Sequence, residues 1–188
     1  KVFSDCTGDG ILSVLAGAEY EAGAPESKIN QPMSLRYLLG GVDKKKLGQF
    51  FDSLKDPNTA QSGKDGKNLY ADVTNKRVSG LTPFFEKAIE AGELVYEDMV
   101  YWQLFDVPGR TDGVALNNPE FFEYTDACDP KQLTQIHLKG KQVILRQLNF
   151  YKKYFPGCEN AYVSNISAMV GVRAVSYTHL RAHETRSN

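Results

Sequence analysis

Asp5-Cys6-Thr7-Gly8-Asp9-Gly10, running on into Ile11-Leu12-Ser13-Val14-Leu15-Ala16-Gly17-Ala18, is the stretch on which the reading of this chain turns. The apolar pair Val2-Phe3 precedes it, so the order predicts a short strand, a tight glycine-rich turn and a helix. Gly8 and Gly10 permit positive φ and a close approach of the main chain to a ligand. The amides that open the following helix carry partial positive charge and suit an anionic group such as a cofactor phosphate. Two other uses of the turn stay open. Asp5, Thr7 and Asp9, with the bend at Gly10, match the front half of a calcium loop, although Ala16 stands where a bidentate acid would close it. The same residues also suit a loop that only reverses the chain.

Composition narrows the function classes. The 188 residues suffice for one full domain or parts of two. With 22 basic against 23 acidic residues there is no overall field to attract a polyanion, so no nucleic-acid partner is expected. A hydrophobic content of 41% with 24% charge belongs to a folded globular chain. No run approaches the roughly 20 apolar residues of a membrane span. Cys6, Cys128 and Cys158 lack CxxC spacing, which gives neither a zinc site nor a disulfide framework and makes a reducing, cytoplasmic setting the default. Lys1 opens directly into the apolar pair, and the chain reads as cut at the front. Residues 175–188, beginning Val175-Ser176-Tyr177-Thr178-His179, read as the translation of a sequencing adapter and are set aside from fold reasoning. His137 is then the one histidine left; beside a helical apolar stripe it reads as a packed or surface residue.

Periodicity organises the rest. A strand is predicted over Met33 to Val42, with Leu35, Tyr37 and Leu39 on one side and Ser34, Arg36 and Leu38 on the other. Arg36 invites a role as a substrate-carboxylate clamp, because its planar fork suits such groups, with an ordinary outward-facing strand charge as the alternative. Lys44 to Leu54 reads as a helix whose lysines form a solvated face, followed by an exposed, tolerant loop from Lys55 to Lys67. Thr82-Pro83 starts the next helix, which stops at Gly92. Val100 to Phe105 and Gly113 to Asn117 read as a long-looped hairpin, in which Tyr101 and Trp102 are candidates to stack on a ring, although aromatic strand residues usually serve packing. The best-marked helix runs from Pro130 to Phe155, with Asp129 as its cap, Gln132 at the capping-box position, and Leu133, Ile136, Val143, Ile144, Leu148, Tyr151 and Phe155 as its stripe. Ala161 to Ile166 reads as a final strand.

Taken together, Thr7-Gly8-Asp9-Gly10 with Ala16-Gly17-Ala18-Glu19-Tyr20, Met33-Ser34-Leu35-Arg36, Gln103 to Arg110, and Gly171-Val172-Arg173 resemble, in that order, the FAD-dependent oxidoreductase family. The flavin segment is similar to that of the fumarate reductase and succinate dehydrogenase flavoproteins. The resemblance implies FAD as cofactor, a small-molecule substrate, and a fold of α/β plus α+β type. Residues 1–23 would be part of a Rossmann-like FAD-binding domain, 24–165 a mixed substrate or cap domain, and 166–174 a return toward the flavin. Thr7, Gly8, Asp9 and Gly10 would contact the cofactor near its phosphates or ribityl chain, with Arg36 and Arg173 near the substrate. One departure stands out: the fingerprint G-x-G-x-x-G after a first strand is missing, and by the resemblance it would precede Lys1. No residue is assigned as catalytic acid or base, and substrate, electron acceptor and oligomeric state are left open. A calcium-stabilised or other non-catalytic binding module is the competing reading. On the flavin reading, Gly8→Val in the complete enzyme reduces FAD retention, measured as flavin absorbance per protein; unchanged occupancy counts against it.

Overall fold

A computed structural model describes residues 2–6, 10–19, 21–22, 32–63, 67–123, 125, 129–172 and 176–177. In chain order the elements are α1 (Ile11–Leu15), β1 (Glu21–Ala22), β2 (Met33–Ser34), β3 (Tyr37–Gly40), α2 (Lys44–Ser53), β4 (Ala60–Gln61), β5 (Tyr70–Thr74), α3 (Thr82–Glu90), α4 (Glu97–Val100), β6 (Tyr101–Asp106), β7 (Val114–Leu116), β8 (Glu120–Phe121), α5 (Pro130–Tyr154), β9 (Tyr162–Ile166) and β10 (Ser176–Tyr177). Six strands form one open sheet in the order β4-β5-β6-β7-β3-β9, and every neighbouring pair is antiparallel. Two short antiparallel pairs, β2 with β8 and β1 with β10, stand apart from it. The described chain is thus of mixed α and β type.

Period-two alternation decides the two faces of the sheet. Val73 lies opposite Trp102, Ala71 and Leu116 lie opposite Leu104, and Tyr37 lies opposite Leu116. All are buried, and they take the helices on that side. Phe51 of α2, Phe85 and Ala88 of α3, and Ile144, Phe150 and Tyr151 of α5 complete the core. Aromatic rings dominate it: Phe85 lies 4.7 Å from Phe150 and 5.4 Å from Trp102, and Phe155 lies 5.8 Å from Trp102, centroid to centroid. Tilted and edge-on pairs of this kind each contribute about 1 kcal/mol beyond the area they bury.

A chain of hydrogen bonds runs through this apolar core. Trp102 Nε1 donates to the Tyr151 hydroxyl at 2.8 Å, the two phenols of Tyr151 and Tyr37 meet at 2.9 Å, and Tyr37 donates to Gln147 Oε1 at 3.0 Å. Asn118 Nδ2 also donates to Gln147 Oε1, at 2.8 Å, while Gln147 Nε2 donates to Asp98 Oδ1 at 3.1 Å. Arg146 closes the chain with Nε on Asp98 Oδ2 at 3.0 Å and Nη2 on Oδ1 at 3.1 Å, and the Val95 amide donates to Oδ2. Burial pushes both phenols well above the ordinary tyrosine range, so each keeps its proton as a donor.

Several expectations change against the structure. Met33 to Val42 is interrupted at Leu35 and Arg36, where the chain passes from β2 to β3; the predicted faces hold, with Leu35, Tyr37 and Leu39 buried and Arg36 exposed. Val2-Phe3 forms no strand: none of the described strands pairs with it, and the two side chains are 95% and 80% exposed. Asp129 caps Lys131 N at 2.8 Å, and the Gln132 side-chain amide donates back to the Asp129 carboxylate at 3.0 Å. Lys44 leaves the solvated face to pair with Asp106 and to donate to Arg110 O at 2.8 Å.

The loop after α2 is less tolerant than its composition suggests. Thr59 and Ser79 are buried and joined hydroxyl to hydroxyl at 3.0 Å, and Asp56 Oδ2 accepts from the Thr59 hydroxyl and from Gly80 N. The Thr59 hydroxyl, then the Gly80 amide, hold the Asp56 carboxyl below its usual value of about 4. Its folded pKa is depressed, so its contribution to stability is present above about pH 4 and fades as pH falls through the folded value. Asp56→Asn should therefore lower stability at neutral pH and flatten the acid limb of a urea-midpoint profile. An unchanged limb would show that Asp56 is uncoupled from folding. Gly157 gives a second test: it sits at φ 96, its carbonyl accepts from Asp43 N, and a Cβ there would meet Asp43 O at 2.6 Å and Leu47 N at 2.8 Å. Both contacts are backbone and cannot swing aside. Gly157→Ala should cost about 2–4 kcal/mol in equilibrium unfolding, through strain plus overpacking.

Candidate functional site

Of the predicted cofactor turn, Gly10 is described, whereas Thr7, Gly8 and Asp9 lie outside the described residues. Gly10 adopts the left-handed conformation, φ 68 and ψ 29, immediately before α1. That is the geometry for which a glycine was expected there. Asp5 folds back over the start of the helix, its Oδ2 accepting from Ser13 N at 2.9 Å and from Ser13 Oγ at 3.2 Å. Ser13's amide is thereby taken by a carboxylate. Ile11, Leu12 and Leu15 remain exposed at 53%, 40% and 80%, so α1 presents apolar side chains outward.

The second predicted position, Arg36, lies at the bend between β2 and β3. Its Nε donates to Asn117 Oδ1 at 2.8 Å. Asn117 Nδ2 then donates to Gln103 Oε1 at 3.0 Å, and the Tyr101 hydroxyl donates to that same oxygen at 2.8 Å. Donor and acceptor roles are forced along this chain. A guanidinium only donates, so Asn117 must turn its oxygen to Arg36 and its nitrogen to Gln103. Among the described residues the Arg36 Nη groups and Gln103 Nε2 are left with no hydrogen-bond partner, which gives the cluster donor character. Such a surface suits a carboxylate or carbonyl oxygen.

Backbone pairing brings a third segment to the same place. Ser34 N donates to Gly171 O at 3.2 Å and Gly171 N to Ser34 O at 2.8 Å, while Ser167 N donates to Arg36 O at 2.9 Å. Met33 to Arg36, Gln103 and Gly171, far apart in sequence, are therefore neighbours. Arg173 lies outside the described residues, so its side chain is not placed against Arg36.

Other candidates sort by burial. Trp102 is fully buried with its indole N–H committed to Tyr151, which removes it as a stacking surface; Tyr101, on the opposite face, is half-buried. Cys6 is exposed, whereas burial pushes the Cys158 thiol up to about 12 and leaves it unreactive. His137 is half-buried on α5, and its Nε2 has no hydrogen-bond partner among the described residues. Sequence reasoning missed Asn117 and Gln103. The alternation that put Trp102 and Leu104 inward also put Gln103 outward, and that was the available signal.

Among the described residues no helix is long and apolar enough to cross a membrane. No curated protein and no solved structure matches the chain. A protein-family model described as FAD dependent oxidoreductase matches residues 1–176, which takes in the Gly10 turn, the Arg36 cluster and the Gly171 bridge together. By that match, covering nearly all of its length, this chain belongs to the FAD dependent oxidoreductase family.

Proposed function

We propose that the protein carries out flavin-mediated oxidation or reduction of a small organic substrate, with Arg36 and Gln103 holding an acceptor oxygen of that substrate. Family membership makes it an oxidoreductase with FAD as its cofactor. The observation that carries the finer reading is the convergence just described: a guanidinium with open Nη donors, oriented by Asn117, beside the Gly171 segment. Arg173, two residues beyond Gly171, belongs to the same proposal as a second cation for the substrate. A dicarboxylate like those of the fumarate reductase and succinate dehydrogenase flavoproteins is the substrate class that two cations would favour.

The N-terminal turn is the proposed cofactor contact, through Thr7, Gly8, Asp9 and Gly10. The described residues fit one part of FAD better than another. Gly10 supplies the left-handed turn, but the Asp5 carboxylate occupies the first turn of α1, where a pyrophosphate would meet like charge. A hydroxyl-bearing ribityl chain meets no such repulsion and can donate to carboxylate and carbonyl oxygens. When bound, the flavin supplies the redox chemistry, and the chain's own residues position the substrate. The outward apolar residues of α1 support the assignment of 1–23 to a flavin-binding unit packed against this region, with 24–165 as substrate domain and 166–174 as the return.

The test is a titration of succinate and of fumarate into the FAD-loaded enzyme, followed by the visible flavin spectrum. Arg36→Gln should weaken the spectral Kd about 10-fold or more, as expected for loss of a charge-assisted contact, while FAD occupancy is unchanged. Arg36→Lys should recover part of it. Equal affinity in all three proteins would remove Arg36 from the substrate site.

A further inference from the structure

The donor cluster at Arg36 has an apolar neighbour on its own face of the sheet. Leu38 of β3, Ala115 of β7 and Phe105 of β6 are register partners on three adjacent strands, Leu38 opposite Ala115 and Ala115 opposite Phe105. Each stands two residues from a member of the polar cluster: Leu38 from Arg36, Ala115 from Asn117, Phe105 from Gln103. Two residues along a strand return to the same face about 7 Å away. An apolar row therefore runs beside the donor row, strand for strand. It faces away from the aromatic core, because the residues in between, Tyr37, Leu116 and Leu104, are buried there. Leu38 and Ala115 are half-buried, and Phe105 is 36% exposed.

The row is notched at its middle. Ala115 places one methyl between the larger side chains of Leu38 and Phe105, on strands spaced about 4.8 Å apart. Beyond Leu38 the Tyr162 ring crosses Gly40, where a Cβ would meet ring atoms at 2.7 Å. Beyond Ala115 the stem of Arg110 crosses Gly113, where a Cβ would meet its Cδ at 2.9 Å. The two glycines let these long side chains lie flat on the sheet and wall the notch on the side away from Arg36. Phe105 walls the flank and is itself steadied by Tyr70, ring centroids 5.6 Å apart. A carboxylate on the Arg36 and Gln103 donors thus has an apolar hollow one row away, and a carbon body lying across it would take that surface out of water.

We propose that the notch over Ala115 sets substrate specificity: it takes an apolar side group of a substrate whose carboxylate is held at Arg36, so the preferred dicarboxylate carries an aromatic or branched aliphatic substituent. The inference rests on the Arg36 reading and refines it. Ala115 is the specificity-determining residue, because its small side chain makes the hollow, and Phe105 is the wall on which the group packs. Unsubstituted succinate leaves the hollow wet, whereas a substituted one fills it.

Succinate, methylsuccinate and benzylsuccinate share one dicarboxylate backbone and differ in the apolar group, which makes them the probes. Each is titrated into the FAD-loaded protein by isothermal calorimetry. Affinity should rise in that order, with benzylsuccinate at least about tenfold tighter than succinate, as burial of much of a phenyl group allows. Ala115→Leu, which fills the notch, should weaken benzylsuccinate about tenfold more than it weakens succinate. Phe105→Ser removes the wall and should weaken benzylsuccinate about fivefold relative to succinate. A native circular dichroism spectrum is the control for both variants, and where one fails it the other decides. Equal affinity for succinate and benzylsuccinate, equal effects of the substitutions on the two ligands, or no saturable binding of benzylsuccinate would each overturn the proposal. Arg36→Gln separates the two readings. If it weakens all three ligands while the benzyl group adds nothing, the notch alone is rejected; if all three are indifferent to it, the Arg36 reading falls and takes the notch with it.

Discussion

The Asp98 carboxylate is the constraint on which the interior depends. It is the terminal acceptor for a line of groups reaching from α4 across α5 to β3 and β6, and its side chain is 3% exposed. A carboxylate has no proton to offer at neutral pH, so every amide and hydroxyl behind it is oriented in one direction. Gln147 can face Asp98 only by its nitrogen, Tyr37 and Asn118 can then reach only the Gln147 oxygen, and Tyr151 must accept from Trp102. A buried ion pair is weak as a source of net stability, because desolvation offsets most of its attraction. Its effect here is selective: it fixes the register of α5 against the sheet, since sliding the helix would leave several buried groups unpaired at about 1–3 kcal/mol each.

With α5 so held, one face of the sheet is given to packing and the other to polar chemistry. Trp102 and Leu104 face the aromatic core, while Tyr101, Gln103 and Phe105 of the same strand are half-buried or exposed on the opposite side. Asn117 and Asn118 divide in the same way, the first bonded to Arg36 and the second to Gln147. Adjacent residues just after β7 thus serve two polar systems, one on each face of the sheet. The period of the strand separates them without any intervening element.

Long-period features were legible in the sequence and pairwise ones were not. The cap, stripe and end of α5 follow from Asp129, Pro130 and the recurrence of Ile136, Val143, Ile144 and Tyr151, because helix signals are local. The β6–β7 hairpin follows for the same reason. Gln147, one turn before Tyr151 on the buried side, reads as a polar break in the stripe and becomes intelligible only when Asp98, 49 residues away, is seen beside it. β5 escaped notice because its sequence, Tyr70-Ala71-Asp72-Val73-Thr74, has Asp72 at a half-buried strand's polar position; the structure buries Asp72 and pairs it with Arg77. Of the site, Arg36 could be singled out by its chemistry, but its partners Asn117 and Gln103 depend on strand pairing across the sheet.

Strand pairing is also what the substrate surface proposed for this FAD dependent oxidoreductase would rest on. A flavin exposes a flat, reactive ring, and the protein's task is to fix a small substrate against it. An antiparallel sheet offers side chains at fixed spacing on a rigid plane, more firmly positioned than those on loops. Here the bend between β2 and β3 lifts Arg36 clear of the ladder, and Asn117, just after β7, accepts from its Nε while donating to Gln103 of β6. The guanidinium is steered from one side and left open on the other. A cation held in that manner loses little conformational freedom when an anion arrives, so in the proposed substrate role orientation by Asn117, rather than charge alone, would set the grip on a carboxylate.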